Sequence, residues 1–420
     1  MQKIPSRSFR LVCQPQQIAQ VEALLHAQGY AFEPEPFSPW CRKLTAEPKP
    51  LGSSLAALFG YVYIQDRSSM LPPLALAPQQ GSAVLDMCAS PGSKTGFLAQ
   101  LVGNTGFVLG NEPGKARLAT LRANLHSLNL AHAATCSYGG EALPLKPASW
   151  DCIQLDPPCS GWGTVEKNPQ VMQLWHGEKT RPLIYLQRQL LAKAYELLRP
   201  GGIVVYSTCT TNVEENEEQV RYAVEELGFV VEPLPPFEGF AWEEPAQGGA
   251  GTLRVDGANS DAQGFYIARL RKPETEYTAF SLPEQDGLPA FDTLPRSALA
   301  APCSDPSLLP PGQVAIFGEH ARFVPQLAAQ CLSAGFIWQG ALLGKMRAGA
   351  LCLAPRLRLL MPSAPPAEAL QLDDVDTIQS LLTGCSYASG LSGRETGLYW
   401  QGLPLCRVSL KNGRVIFTIK

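Results

Sequence analysis

At 420 residues the chain is too long for one ordinary hydrophobic core and suits two or three domains. A formal net charge of -3 and a pI near 6.0 exclude a global positive field for nucleic acid, so any such partner must be met by local patches. No run approaches the apolar length of a membrane span, the start Met1-Gln2-Lys3-Ile4-Pro5-Ser6-Arg7 lacks the apolar core of a secretory signal, and the 12 cysteines show no repeated spacing and no Cys-x-x-Cys. These features predict a cytoplasmic protein with reduced thiols, no membrane partner and no metal site.

From Ala83 onward, short apolar runs alternate with segments of helical period, which is the pattern of a mostly parallel sheet covered by helices, an α/β fold. Strands are predicted at 83–86, 106–111, 152–156 and 202–207. A helix is predicted over 181–198, with Leu183, Leu186, Leu190, Leu191, Ala194 and Leu197 on a face given over to core packing and Pro200-Gly201-Gly202 as its terminator. Asn212 caps the next helix, and Glu214 and Glu215 in its first turn read as helix-start chemistry rather than a metal site. The run 264–270 reads as one further strand closing the sheet edge. A proline-rich stretch over 273–312 reads as a linker, and a second compact unit begins near Gln313, ending in strand-like runs broken at Gly402-Leu403-Pro404. From Gly340 to Lys420 nine Lys and Arg face five acids, a mildly basic tail whose plain account is an ordinary solvated surface.

The turn Asp86-Met87-Cys88-Ala89-Ser90-Pro91-Gly92-Ser93-Lys94-Thr95 follows the first of these strands and opens a helix, where backbone amides suit an anionic or carboxylate group. A P-loop fails because Cys88 and Ser93 stand where its glycines would, and no Gly-x-Gly-x-x-Gly is present. The remaining reading is a nucleoside site of the methyltransferase kind for S-adenosylmethionine, helped by Glu112 at the end of the second strand, where an acid can bond ribose hydroxyls. Asp156-Pro157-Pro158 resembles the signature of enzymes that methylate exocyclic amines of bases, but Cys159 replaces its aromatic residue. A thiol suits a different reaction. Carbon 5 of cytosine becomes nucleophilic only after a thiolate adds to carbon 6, and a carboxyl group such as Asp156 near ring nitrogen 3 can stabilise the charge that builds. Cys159 and Cys209, in Ser207-Thr208-Cys209-Thr210, both end apolar strands, and chemistry alone leaves open which attacks. Cys88 belongs to the turn, and the other nine cysteines read as structural thiols.

These motifs resemble the RNA cytosine-5 methyltransferases of the Nop/Sun family, within it the RsmF-like bacterial ribosomal RNA branch. The matching residues are 63–72, 88–95, 156–163, 206–215 and 264–270. The resemblance implies a Rossmann-like class I methyltransferase sheet over 76–272, a small N-terminal RNA-binding extension over 1–75, and a PUA-like RNA-binding module over 313–420, the last matched at Gly402-Leu403-Pro404-Leu405 and Leu410-Lys411-Asn412. It implies that Cys209 is the nucleophile and that Cys159 assists release of the methylated base. It further implies that Cys88, Ala89, Ser90, Pro91, Gly92, Ser93, Lys94, Glu112 and Asp156 hold S-adenosylmethionine, with Asp156 and Lys94 facing the reacting centre. The expected product is 5-methylcytosine in 16S ribosomal RNA or the small subunit, made by a monomer. The rivals are a tRNA-directed enzyme of the same family and a catalytically silent RNA-binding assembly factor. Departures from the family pattern are Tyr138, where an acid is usual and Glu141 is the nearest substitute; Arg10-Leu11-Val12-Cys13 near the N-terminus; and Gly257 in place of a proline. They bear on RNA docking more than on the reacting groups.

Overall fold

The computed structural model describes residues 7–165, 168–274, 291–333 and 335–417. Six strands form its centre: β1 (Ala83–Asp86), β2 (Phe107–Asn111), β3 (Ala133–Cys136), β4 (Trp150–Leu155), β5 (Leu198–Thr208) and β6 (Phe265–Arg271). They lie in the order β3-β2-β1-β4-β5-β6, all parallel except β6, which runs antiparallel to β5. Every residue of β1 and β2 is buried, as expected for central strands covered on both faces.

Helices α1 (Ser93–Val102) and α2 (Lys115–Leu128) bury Leu98, Val102, Leu121 and Leu125 against Val84, Val108 and Val205 on one face. On the other face α3 (Arg181–Leu197) and α4 (Glu217–Glu225) set Leu190, Leu191, Val220 and Ala223 against Leu85, Ile153 and Tyr206. Strand order reverses between β1 and β4, so the loops leaving their C-terminal ends diverge and open a crevice. Both cysteine motifs and the 86–95 turn open on that side.

Two local readings change. Pro200-Gly201-Gly202 ends α3 but also begins β5: Trp150 pairs with Leu198 and Cys152 with Ile203, and the extra residues bulge between them with Gly201 at φ +74. The 264–270 strand forms but does not close the edge, because Leu253–Val255 and then Trp242–Glu243 continue the sheet beyond it. At the opposite edge Trp338–Gln339 pairs antiparallel with β3.

The N-terminal residues form a four-stranded sheet, and the residues after 291 form two five-stranded sheets. The second of these shares one core with the N-terminal sheet: Phe9, Leu24, Leu55 and Tyr61 pack with Ile378, Leu398, Trp400 and Leu405. Within the proline-rich stretch 275–290 lies outside the described residues, whereas Leu299 and Leu309 are buried against Phe323 and Leu343. Among the described residues no helix is long and apolar enough to cross a membrane.

Candidate functional site

The turn after β1 is shaped by Gly92, whose φ of +104 favours a residue without Cβ, and Ser93 then opens α1. Lys94 and Thr95, in the first turn of that helix, point back at the strand ends. The Thr95 hydroxyl donates to Asp86 Oδ2 at 2.6 Å, while Asp86 Oδ1 is buried and, among the described residues, is paired with no side chain. Burial, opposed by the Thr95 hydroxyl and Lys94, pushes the Asp86 carboxyl up to about 6. Across the crevice Glu112 is almost wholly buried, accepting from the Gly114 amide at 2.8 Å and pairing with Arg117 at 3.3 Å. Burial first, and then Asp86, Asp156 and Glu112, hold the Cys88 thiol protonated.

The second half of the site gathers at the ends of β4 and β5. Lys94 Nζ donates to Asp156 Oδ2 at 2.7 Å and lies 5.4 Å from the centre of the Phe265 ring. Ser207 donates to Asp156 Oδ1 at 3.2 Å and is itself held by Gln154 at 3.1 Å. The sulfurs of Cys159 and Cys209 are 3.5 Å apart. The hydrogen bond between them lowers Cys209, opposed by burial and by Asp156 and helped by Lys94. Cys159 is raised by the same bond, by burial and by Asp156 and Glu215. The arrangement therefore favours a Cys209 thiolate accepting from a Cys159 thiol. It can deliver a nucleophile and a proton-transferring thiol to one small volume beside a carboxylate with a fixed orientation.

Behind the Pro-Cys loop lies a group that the sequence reading assigned to helix-start chemistry. Asn212 does cap, accepting from the Glu214 amide at 3.2 Å. Glu215, however, is fully buried and accepts from the Ser160 amide at 2.9 Å, the Ser160 hydroxyl, Gln187 at 3.0 Å and Asn212 at 3.2 Å. Gln187 also donates to the Pro158 carbonyl at 3.0 Å, so α3 does more than pack the core. Tyr206 donates to the Glu215 carbonyl at 2.6 Å. These bonds fix the loop carrying Cys159 to the strand carrying Cys209. The spacing Asn212-x-x-Glu215 was the available signal, read only locally.

Two departures acquire physical accounts. The Tyr138 hydroxyl accepts from the Ile337 amide at 2.9 Å and its ring stacks on Phe336 at 4.9 Å, so this side chain ties the sheet to the C-terminal region. Glu141 is exposed. Arg10 is fully buried, donates to Gln100 at 2.6 Å and lies 4.7 Å from the Phe97 ring centre, joining the N-terminal sheet to α1 rather than facing solvent. Among the described residues no three His, Cys, Asp or Glu side chains gather to hold a metal ion.

Comparison with known proteins agrees with this geometry. A family model described as 16S rRNA methyltransferase RsmB/F matches residues 73–271, the span of the central sheet. Ribosomal RNA small subunit methyltransferase F of Salmonella heidelberg and of Salmonella agona are each 38% identical over 272 residues, covering 63% of this chain and 57% of the relative. The chain thus spans less than two thirds of the length of these curated relatives. A solved methyltransferase homolog protein from Pyrococcus horikoshii is 33% identical with a TM-score of 0.56, covering 64% of this chain and 87% of that one. NSun6 from Pyrococcus horikoshii, solved with SFG, shares the fold at a TM-score of 0.57 and 22% identity, covering 65% of this chain and 92% of that one.

Proposed function

Because the chain belongs to the RsmB/F family of 16S rRNA methyltransferases, whose cofactor is S-adenosylmethionine, we propose that it methylates carbon 5 of cytosine in 16S ribosomal RNA through a covalent Cys209 adduct. The observation that carries the reading is the pair of thiols 3.5 Å apart beside an Asp156 carboxylate held by Lys94 and Ser207.

The residues around the crevice suit the cofactor. The buried Asp86 Oδ1 and the Glu112 carboxylate offer acceptors on either side of the 88–94 turn, whose amides open α1. S-adenosylmethionine, when bound, supplies an electrophilic methyl group. Cys209 adds to carbon 6 as the thiolate, which makes carbon 5 electron-rich. In this reading Asp156, oriented by Lys94, faces ring nitrogen 3 and the exocyclic amine, accepting from the amine and from nitrogen 3 once that nitrogen takes up a solvent proton as Cys209 adds. Once Cys209 is bonded to carbon 6, Cys159 no longer faces a thiolate; it releases its proton to solvent and, as the thiolate, takes the carbon 5 proton, after which the carbon–sulfur bond breaks and the Cys209 thiolate is restored. A base must leave its stack to reach these groups. The C-terminal sheets, including the Leu403–Lys411 strand, act in this reading as a PUA-like RNA-binding part.

Trapping separates the roles. Cys159→Ala protein incubated with RNA and cofactor should accumulate a thiol-linked adduct, and Cys209→Ala protein should form none; the reverse pattern sinks the assignment. Bisulfite mapping of RNA from cells with and without the gene identifies the substrate. Loss of a 16S mark supports the reading, loss of a tRNA mark favours the tRNA-directed rival, and no change leaves a silent binding factor.

A further inference from the structure

A cavity of about 240 Å³ lies between the C-terminal half of α2, the start of β3 and the strands Trp338–Gln339 and Leu342–Arg347. It is removed from the thiols: α2 begins beside Glu112, through Arg117, and its opposite end forms the cavity wall. Leu125, Leu130, Leu342 and Leu357 make much of the lining. Into it project Arg122 and His126, one turn apart on the same face of α2, and Arg322 from the strand His320–Pro325.

Among the described residues the two arginines lack counter-charges, and His126 is held neutral beside them. Arg122 Nε donates to the Thr135 hydroxyl at 3.0 Å and Arg322 Nη1 to the Gly340 carbonyl at 2.9 Å, and among the described residues the other guanidinium nitrogens of each make no hydrogen bond. The lining contains no Asp or Glu, and among the described residues neither arginine makes an ion pair. Burial lowers Arg322, and Arg122 lowers it further. Burial lowers His126, followed by Arg356 and Arg322. Like charges facing one another in a partly enclosed, leucine-lined space focus a positive potential, which an anion relieves.

We propose that this cavity binds a nucleotide, its phosphate between Arg122 and Arg322 and its sugar or base against Leu125 and Leu342. Guanidinium forks match phosphate oxygens, and two of them with an imidazole suit a group carrying more than one acceptor edge. The space exceeds what inorganic phosphate fills, and the apolar wall suits the rest of a nucleotide. A free mononucleotide and a nucleotide of bound RNA share this chemistry; only the second rests on the proposed function.

Calorimetry tests it on the full chain, with saturating S-adenosylhomocysteine present so that the crevice is closed to the probe. Uridine monophosphate and a short single-stranded oligouridylate are titrated into the wild type, Arg322→Gln and Arg122→Gln, with thermal melting and S-adenosylhomocysteine affinity as folding controls. Binding of the mononucleotide that weakens by about tenfold in either variant, one lost charge-assisted contact, assigns a free nucleotide. Discrimination seen only with the oligouridylate, with a salt slope shallower by about one per arginine, assigns RNA. Equal binding by wild type and a folded variant, or no binding of either probe by the wild type, overturns the proposal. Methyl transfer is measured in parallel: transfer without nucleotide binding removes this site alone, and nucleotide binding without transfer removes the proposed reaction alone.

Discussion

Cys209 and Cys159 differ in their surroundings more than in their positions. Beyond the hydrogen bond they share, Asp156 raises both thiols, Lys94 lowers Cys209 and Glu215 raises Cys159, so removing the lysine charge should push the Cys209 thiol up. In Lys94→Met the alkylation of Cys209, followed by mass spectrometry of its peptide, should begin at higher pH than in the wild type, with Cys159 reacting later in both. Asp86 makes an opposite kind of statement. Its folded value of about 6 against 3.8 means that the folded state holds the proton more tightly, so its contribution favours folding at low pH and is lost as pH rises from about 4 to 6. The loss is on the order of 3 kcal/mol. Melts of the cofactor-free protein between these limits should show Asp86→Asn gaining on the wild type as pH rises; a flat difference means that Asp86 is ionised throughout. At this scale the gathering of Cys209, Cys159, Asp156 and Lys94 was legible because each sits in a short motif. Glu215 and Gln187 were not, because their partners Ser160 and Pro158 are 55 and 29 residues away and nothing local requires them. Glu215→Ala should cost about 3 kcal/mol, since it strips a buried loop of its acceptors. It should lower methyl transfer while sparing cofactor affinity, measured by melting, rate and calorimetry.

The elements were read from periodicity and breakers, and where those agree with tertiary pairing the ends are close: the 83–86 strand is observed at Ala83–Asp86 and the 181–198 helix at Arg181–Leu197. They failed where pairing overrode the local signal. Pro200-Gly201-Gly202 is a breaker to a helix but a tolerated bulge at a strand entry, and the strands beyond β6 are too short to show alternation. One close approach between elements is directly testable. A Cβ on Gly163 would stand 2.3 Å from the Gly264 carbonyl oxygen and 2.8 Å from that of Cys209, both backbone atoms that can yield only by moving the strand end. Gly163→Ala should therefore cut methyl transfer by about a hundredfold, the usual effect of an ångström-scale misplacement, with cofactor binding retained. An unchanged rate would mean that the Cys209 loop adapts freely.

At the scale of the whole molecule, the N- and C-terminal sheets depend on each other. Arg358 donates to the carbonyls of Phe59 at 2.9 Å and Gly60 at 2.7 Å, with its guanidinium 3.9 Å from the Tyr61 ring centre. Arg358→Ala leaves those carbonyls and the ring without their cation and should lower stability by about 3 kcal/mol, read from the melt. A chain ending at 274 exposes Phe9, Leu24, Leu55 and Tyr61 and should fail to give a cooperative, monomeric fold. A clean two-state melt of that fragment would show the shared core to be dispensable. This mutual burial was not legible in sequence, because each half shows only a generic apolar pattern and their meeting is a long-range contact. The central α/β unit was legible because its repeats are local.

The pairing of Trp338 with Cys136 also bears on how the protein is made. The β3 edge presents unpaired backbone groups until a strand about two hundred residues later has left the ribosome, roughly 10–40 s at ordinary elongation rates. Through that interval the nascent sheet offers a template to other chains, so chaperone dependence should centre on this edge during synthesis rather than on the finished protein.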